Sequence, residues 1–253
     1  MNAAELKKRR RYLGGSEVAA VLGLSPFQTA AGLYDEKTGA IAPKETSDAM
    51  LVGIHLEDGI AKLWAAQQGA KRGCYIELRK HKPLLHPEFS FMRASPDRKV
   101  FFLPSRPWRT LGPLALGSYP CEGLEIKCIS QFSEAAGGWG RSGSQDYPEY
   151  YKVQCAWNRM IFDLPRWNLV AMVADGRYTL KSYVYEEDLA YEAELRAKAL
   201  DFWTNHILAE VRPEEKPVHR LTSPDAQDIV SAKLPAIAPA WMTDENQTPN
   251  ATV

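Results

Sequence analysis

The chain has 253 residues and a mass of 28.3 kDa, enough for one substantial domain with its own core. Its 31 basic and 31 acidic residues cancel, and no apolar run approaches the roughly 18 residues that a membrane-spanning helix needs. The charged residues 1–11 lead into no apolar segment, so a secretory signal is not expected and a cytoplasmic location is.

The elements follow in order. Gly14-Gly15-Ser16-Glu17 opens a short helix, with Ser16 as its N-cap and Gly23 as its stop. Ser25-Pro26 starts a second helix that ends at Thr38 and Gly39. Residues 48–69 read as a long helix with the apolar stripe Met50/Leu51, Ile54, Ile60/Ala61 and Trp64. Strands are expected at 74–78, 89–93 and 99–103, and the four prolines of 104–121 make that segment a loop or insertion. A strand at 122–130, a glycine-rich loop at 137–143 and a helix at 147–162 come next. Strands at 167–174 and 178–185 form a hairpin around Asp175-Gly176, and 187–211 is an amphipathic helix. This order predicts one α/β domain over 1–211 with a central mixed sheet. Residues 212–253, with six prolines, are expected to be an extended and partly disordered extension.

Charge is uneven despite the zero total. Residues 1–182 hold 25 basic and 18 acidic residues, whereas 183–211 hold 2 and 7. The basic clusters are Lys7 to Arg11, and Lys71, Arg72, Arg79, Lys80 and Lys82, which suit either phosphates or a solvated face. The four cysteines, Cys74, Cys121, Cys128 and Cys155, lack metal-ligand spacing, which argues against zinc, iron–sulfur or a disulfide framework.

Polar side chains that interrupt apolar patterns are the informative ones, because a buried charge must be paired or ligated. In Leu124-Glu125-Ile126-Lys127-Cys128 the alternation sends Glu125 and Lys127 to one face, about 7 Å apart along the strand. A surface ion pair has the same pattern. Glu57 falls on the stripe of its helix, either buried with a partner or at the stripe's boundary. Gln154 lies among Tyr150, Trp157 and Ile161, where an amide satisfied by backbone is the plain alternative. Asp97 closes Arg93-Ala94-Ser95-Pro96-Asp97, which alone reads as a turn. Together these residues supply hard oxygen ligands suited to Mg²⁺ and an amine able to orient water or offset phosphate charge, the equipment of phosphodiester hydrolysis.

Over residues 9–210 the chain resembles the YqaJ-like viral recombinase family, the lambda-exonuclease branch of the PD-(D/E)xK nucleases. The motifs are Gly14-Gly15-Ser16-Glu17, Leu22-Gly23-Leu24-Ser25-Pro26-Phe27, Tyr34-x-x-Lys37-Thr38-Gly39, Gly53-x-x-Leu56-Glu57, Arg93-Ala94-Ser95-Pro96-Asp97, the strand around Glu125 and Lys127, and Pro148-Glu149-Tyr150-Tyr151-x-x-Gln154. The resemblance implies a restriction-endonuclease-like α/β core with a central mixed β-sheet flanked by helices. It also implies a Mg²⁺-dependent 5′-to-3′ exonuclease that degrades one strand of linear double-stranded DNA. The 3′ overhang left behind would serve recombination by single-strand annealing.

The same resemblance implies roles for individual residues. Asp97, Glu125 and the Ile126 carbonyl hold the metal, with Mn²⁺ as a substitute. Lys127 is the catalytic lysine, Glu57 the helical acid that completes the site, and Gln154 steadies the metal site or the water. Arg9 and Ser16 align with residues that grip a terminal 5′-phosphate, with Arg10 and Arg11 as neighbouring alternatives. A helix start at Ser16 would offer free N–H groups to that anion. A homotrimeric ring around DNA, an outward-facing acidic segment at 183–211 and a single-strand annealing partner in a bacterial cytoplasm are further implications. Three departures stand out: Arg98 where the family has glycine, Ala156 where it often has a second glutamine, and the wide spacing that 104–121 puts between Asp97 and Glu125.

Three alternatives compete, one of them a different nuclease of the same superfamily with a four-cysteine iron–sulfur cluster, which the scattered cysteines do not match. A glycoside hydrolase would use paired carboxylates with some of the seven tryptophans, but Lys127 beside Glu125 suits it poorly. A non-catalytic DNA-end-binding protein of the same fold would have no need of the complete Asp97, Glu125 and Lys127 set.

Overall fold

The strand that carries Glu125 and Lys127 has two chemically different faces, and the fold covers both. The computed structural model describes residues 9–42, 46–130, 138–174 and 177–214. In chain order the elements are β1 (Leu13–Gly14), α1 (Gly15–Val21), α2 (Ala30–Thr38), α3 (Asp48–Arg72), β2 (Tyr75–Arg79), β3 (Leu84–Leu85), β4 (Met92–Ala94) and β5 (Arg98–Leu103). They continue with α4 (Pro113–Leu116), β6 (Cys121–Ser130), α5 (Glu149–Phe162), β7 (Arg166–Ala174), β8 (Tyr178–Glu186), α6 (Leu189–Phe202) and a π-helical segment, Trp203–Leu208.

The main sheet has the order β2-β5-β6-β7-β8. All its pairs are antiparallel except β6 with β7. That parallel pair needs a crossover, and α5 supplies it. A small sheet, β1-β4-β3, carries the segment that leads into α1. The mixed sheet flanked by helices is the architecture expected from the sequence.

Leu124 and Ile126 face α3, where they pack with Ile60, Ala61, Trp64 and Val170. The fully buried Trp64 indole donates to Ser182 Oγ at 2.9 Å, tying α3 to β8. On the opposite face α5 and α6 build the larger core, with Val153, Trp157, Ile161, Leu169, Leu195 and Trp203. Gly123 is required there, since a Cβ would stand 2.1 Å from the Trp167 ring.

Several expected boundaries move for identifiable reasons. Gly14, not Ser16, is the N-cap of α1, and Ser16 is an exposed residue of the first turn. Glu17 at the third position accepts the Gly14 N–H at 2.8 Å and takes over the capping role. The second helix starts at Ala30 rather than Pro26, because Thr29 Oγ1 accepts the Gly32 N–H. The stripe of α3 is only half a core stripe: Ile60, Ala61 and Trp64 are buried, whereas Met50, Leu51 and Ile54 are exposed. The helix there extends beyond the sheet it packs on. The 104–121 segment contains the helical turn α4 and delivers Cys121 into β6. The acidic segment is not uniformly outward, since Glu192 and Glu194 are buried. Glu192 clamps the buried Arg159 of α5 through two 2.6 Å bonds. The Asp175-Gly176 turn, Gly137, Lys7, Lys8 and all of the extension past residue 214 lie outside the described residues.

One buried cation organises the N-terminal segment. Lys37, 2% exposed, donates to Glu17 Oε2 at 2.7 Å, to the Arg9 carbonyl at 2.8 Å and to the Tyr12 carbonyl. Its three protons thus meet three acceptors. Burial lowers its pKa, and the Glu17 charge opposes that shift. Gly39, at φ +86°, leaves room for the Arg10 guanidinium, which a Cβ would meet at 2.5 Å. Lys37→Met is therefore expected to cost about 3 kcal/mol in urea unfolding, the scale for breaking a buried pair. A loss below about 1 kcal/mol would show that the ammonium is not holding this segment.

Candidate active site

β5 and β6 pair only from Arg98↔Leu124 to Phe101↔Cys121, so β6 runs on past the end of its neighbour. The Ile126 N–H falls beyond that ladder, and the Asp97 carboxylate accepts it at 2.7 Å. The turn read from Ser95-Pro96-Asp97 thus delivers a carboxylate to the edge of the central strand.

On β6 itself, Glu125 and Lys127 share the face toward α5, as the alternation requires. Lys127 Nζ donates to Glu125 Oε1 at 2.7 Å and to Gln154 Oε1 at 3.1 Å. Gln154 Nε2 in turn donates to Glu125 Oε1 at 2.6 Å, and Asn158 Nδ2 to Glu125 Oε2 at 3.2 Å. The Lys127 ammonium also stands 4.8 Å from the centre of the Tyr151 ring. The surface-ion-pair alternative is excluded for Glu125, which is 2% exposed.

Glu57 arrives from the other side of the sheet, on α3. Its carboxylate receives Arg98, a residue 3% exposed whose guanidinium also bonds the Asp97 carbonyl and reaches Asp58 Oδ1 at 3.3 Å. Arg98 therefore bridges the Asp97 turn to the helical acid.

Ser16 is exposed in the first turn of α1, and Arg9 precedes that helix. Arg9 reaches Glu17 Oε1 at 3.3 Å. At Gly15, α1 touches α5 so closely that a Cβ would sit 3.0 Å from Asn158 Oδ1 and 3.2 Å from Gln154 Cγ. Gly15 of the Gly-Gly motif is thus explained by helix contact at the site.

Sequence reasoning missed three contributors. Asn158 is four residues from Gln154 on the same helical face, a spacing that could have revealed it. Tyr151 is three residues before Gln154 and lies beneath the ammonium. Arg98 was noticed only as a departure, not as a partner of Glu57.

The electrostatics follow from burial and like charge. Burial, then the Glu125 charge, pushes the Asp97 carboxyl well above the usual range; Glu57 adds to the rise, while Lys127 and the Ile126 N–H oppose it. Burial works to lower the Lys127 pKa, but the charges of Glu125, Tyr151 and Asp97 outweigh it and hold the amine above its ordinary value. Among the described residues no three Asp, Glu, His or Cys side chains gather into a ready-made metal cage. Two carboxylates plus a backbone carbonyl suit instead an ion such as Mg²⁺ that keeps several waters. A crowded, disfavoured Asp97 anion is what such an ion would relieve.

The profile of the YqaJ-like viral recombinase domain matches residues 6–163. The chain belongs to that family. The "Uncharacterized protein YqaJ" of Bacillus subtilis (strain 168) is 36% identical over 215 residues, 82% of this chain and 57% of that protein. The chain thus spans little more than half of that relative's length. Among solved structures, an alkaline exonuclease (LHK-Exo) from Laribacter hongkongensis superposes with a TM-score of 0.55 at 18% identity, over 83% of this chain and 94% of that one. LHK-Exo in complex with dAMP gives 0.56 at 17%, with the same coverage. At such identities the likeness establishes the fold, which is the one the motifs implied.

The Asp97 shift makes a pH statement. A carboxyl with a raised folded-state pKa contributes stability that is complete below the unfolded value, about 3.9, and is lost as pH rises through the folded one. Asp97→Asn keeps an acceptor for the Ile126 N–H and removes the charge. Without divalent ions its thermal midpoint is expected above that of the parent at pH 8, with the gap closing toward pH 4. Mg²⁺ at ten times its dissociation constant is expected to stabilise the parent by about 1.4 kcal/mol, ~3–6 °C, and to leave Asp97→Asn unmoved. A parent midpoint indifferent to Mg²⁺ would contradict the assignment.

Proposed function

We propose that the chain is a Mg²⁺-dependent exonuclease that removes nucleotides from the 5′ end of one strand of linear double-stranded DNA, leaving a 3′ overhang for single-strand annealing. The observation that carries this reading is the junction of β5 and β6, where Asp97, Glu125 and the Lys127 ammonium converge. Asp97, Glu125 and the Ile126 carbonyl would hold the ion. A bound divalent cation supplies a water of lowered pKa and positive charge for the phosphate.

The chain's own groups do the rest. Lys127, kept cationic by its neighbours, offsets charge developing on the phosphate oxygens and orients the attacking water. Gln154 and Asn158 fix the Glu125 carboxylate, so its oxygens do not rotate away from the reacting centre. Glu57, held by Arg98, closes the site from α3. Arg9 and Ser16 grip the terminal 5′-phosphate, and the Gly15 contact with α5 sets its distance from the scissile bond. The basic excess of residues 1–182 supports a DNA-facing surface. The same reading includes a homotrimeric ring, a single-strand annealing partner and action in the cytoplasm. For the described residues, no helix is long and apolar enough to cross a membrane.

End-labelled linear duplex with a 5′-phosphate or a 5′-hydroxyl, in Mg²⁺ or EDTA, tests the reading. Mononucleotide release is expected only with Mg²⁺ and faster from the phosphorylated end. Lys127→Ala is expected to lower the rate by about 10²-fold or more with DNA binding retained. Arg9→Ala should narrow the preference for phosphate. Cleavage in EDTA, or full activity in Lys127→Ala, would overturn the proposal.

A further inference from the structure

Between α3 and β2 lies a cleft of about 660 Å³ that the site above touches at Arg98 and Asp58. It follows the edge strand of the main sheet. Its lining runs from Tyr75 to Lys80, so it follows β2 for about 17 Å. Small α3 side chains between Ala65 and Ala70 keep it open. Four cations line it, Lys62, Lys80, Arg98 and Arg106, against two acids, Asp58 and Glu77. Lys62 pairs with Asp58 at 2.6 Å, and Glu77 with Arg79 at 2.7 Å. Lys80 and Arg106 are exposed, and the Arg106 guanidinium stands 5.9 Å over the Tyr75 ring.

Arg98 closes one end, next in sequence to Asp97. Arg106 marks the other, at the start of the 104–121 insertion. Just beyond it Trp108 is 88% exposed, with the Arg109 guanidinium 4.8 Å over its ring. The chain that follows it is anchored. Arg79 donates to the Leu111 carbonyl at 3.2 Å, and Leu111, Leu116 and Tyr119 pack on Phe101 and Leu103. A tryptophan exposed two residues beyond an arginine that lines a cationic groove, with a second arginine on its ring, is the combination that stacks bases while tracking a phosphate backbone.

We propose that this cleft and the Trp108 shelf bind a single-stranded stretch of DNA continuous with the site at Asp97, an assignment that rests on the nuclease reading above. The exposed Lys80 and Arg106 meet phosphates, and the indole meets a base face without regard to sequence. An acidic polypeptide would satisfy the cations but leave the aromatic shelf without a partner.

The test uses the full chain in EDTA, so that nothing is cut, and the fluorescence anisotropy of a labelled twelve-nucleotide oligo-dT across a salt series. Trp108→Ala is expected to weaken binding by roughly 5- to 100-fold, and Trp108→Phe to recover most of it. The double variant Lys80→Ala/Arg106→Ala is expected to flatten the salt slope by about 1.4, near 0.7 per phosphate contact. Thermal midpoints like the parent's would confirm that both variants fold. Parental affinity and slope in both variants would overturn the inference, as would poly-glutamate displacing the oligonucleotide at equal charge. A nuclease whose variants bind oligo-dT like the parent refutes the cleft alone. A chain that binds oligo-dT through Trp108 yet cuts no DNA in Mg²⁺ supports the cleft and refutes the nuclease.

Discussion

A carboxylate buried beside a like charge must take up a proton or a cation, and the junction of β5 and β6 imposes that choice on Asp97, next to Glu125. The crowding has a simple origin. β6 outlasts its antiparallel neighbour, so the Ile126 N–H would be left without a ladder partner, and the Asp97 carboxylate is drawn onto it. Glu125, one residue earlier, is fixed by α5 through Gln154 and Asn158. Much of the surrounding structure can be read as support for this pair. The Gly15 contact holds α1 to α5, the Arg159 clamp ties α5 to α6, and Lys37 gathers the segment that carries Arg9.

Arg98 gives the site an unusual second side. A buried guanidinium beside the Asp97 turn would be costly without acceptors, and it has three: Glu57, Asp58 and the Asp97 carbonyl. Glu57 is thus oriented by a permanent cation from the protein. Arg98 and its partner Asp58 also line the α3–β2 cleft, so the chemistry at Asp97 and the groove beyond it meet at that pair.

Much of this was legible in the sequence. Strict alternation from Leu124 to Cys128 announced a strand with a polar face, and the family motifs ordered the remaining site residues along the chain. What stayed hidden depended on neighbours in space. The stripe on α3 reads as uniformly apolar, but its first two turns project past the sheet, and periodicity cannot see where a sheet ends. Ser16 looks like a cap because serine caps well, yet Glu17 reaches back to Gly14 and moves the boundary. Lys37 resembles a surface residue until Glu17 and two carbonyls, 20 or more positions away, enclose it. The reason for Gly15 and Gly123 is a close approach by α5 and by Trp167.

The most direct measurement is anomalous diffraction from crystals of the full chain grown with Mn²⁺. A single peak is expected within roughly 2.1 Å of an Asp97 oxygen, a Glu125 oxygen and the Ile126 carbonyl, as for a compact octahedral ion. If no peak appears there, and Asp97 and Glu125 keep only their bonds to the Ile126 N–H, Lys127, Gln154 and Asn158, the account of a shared ion is contradicted.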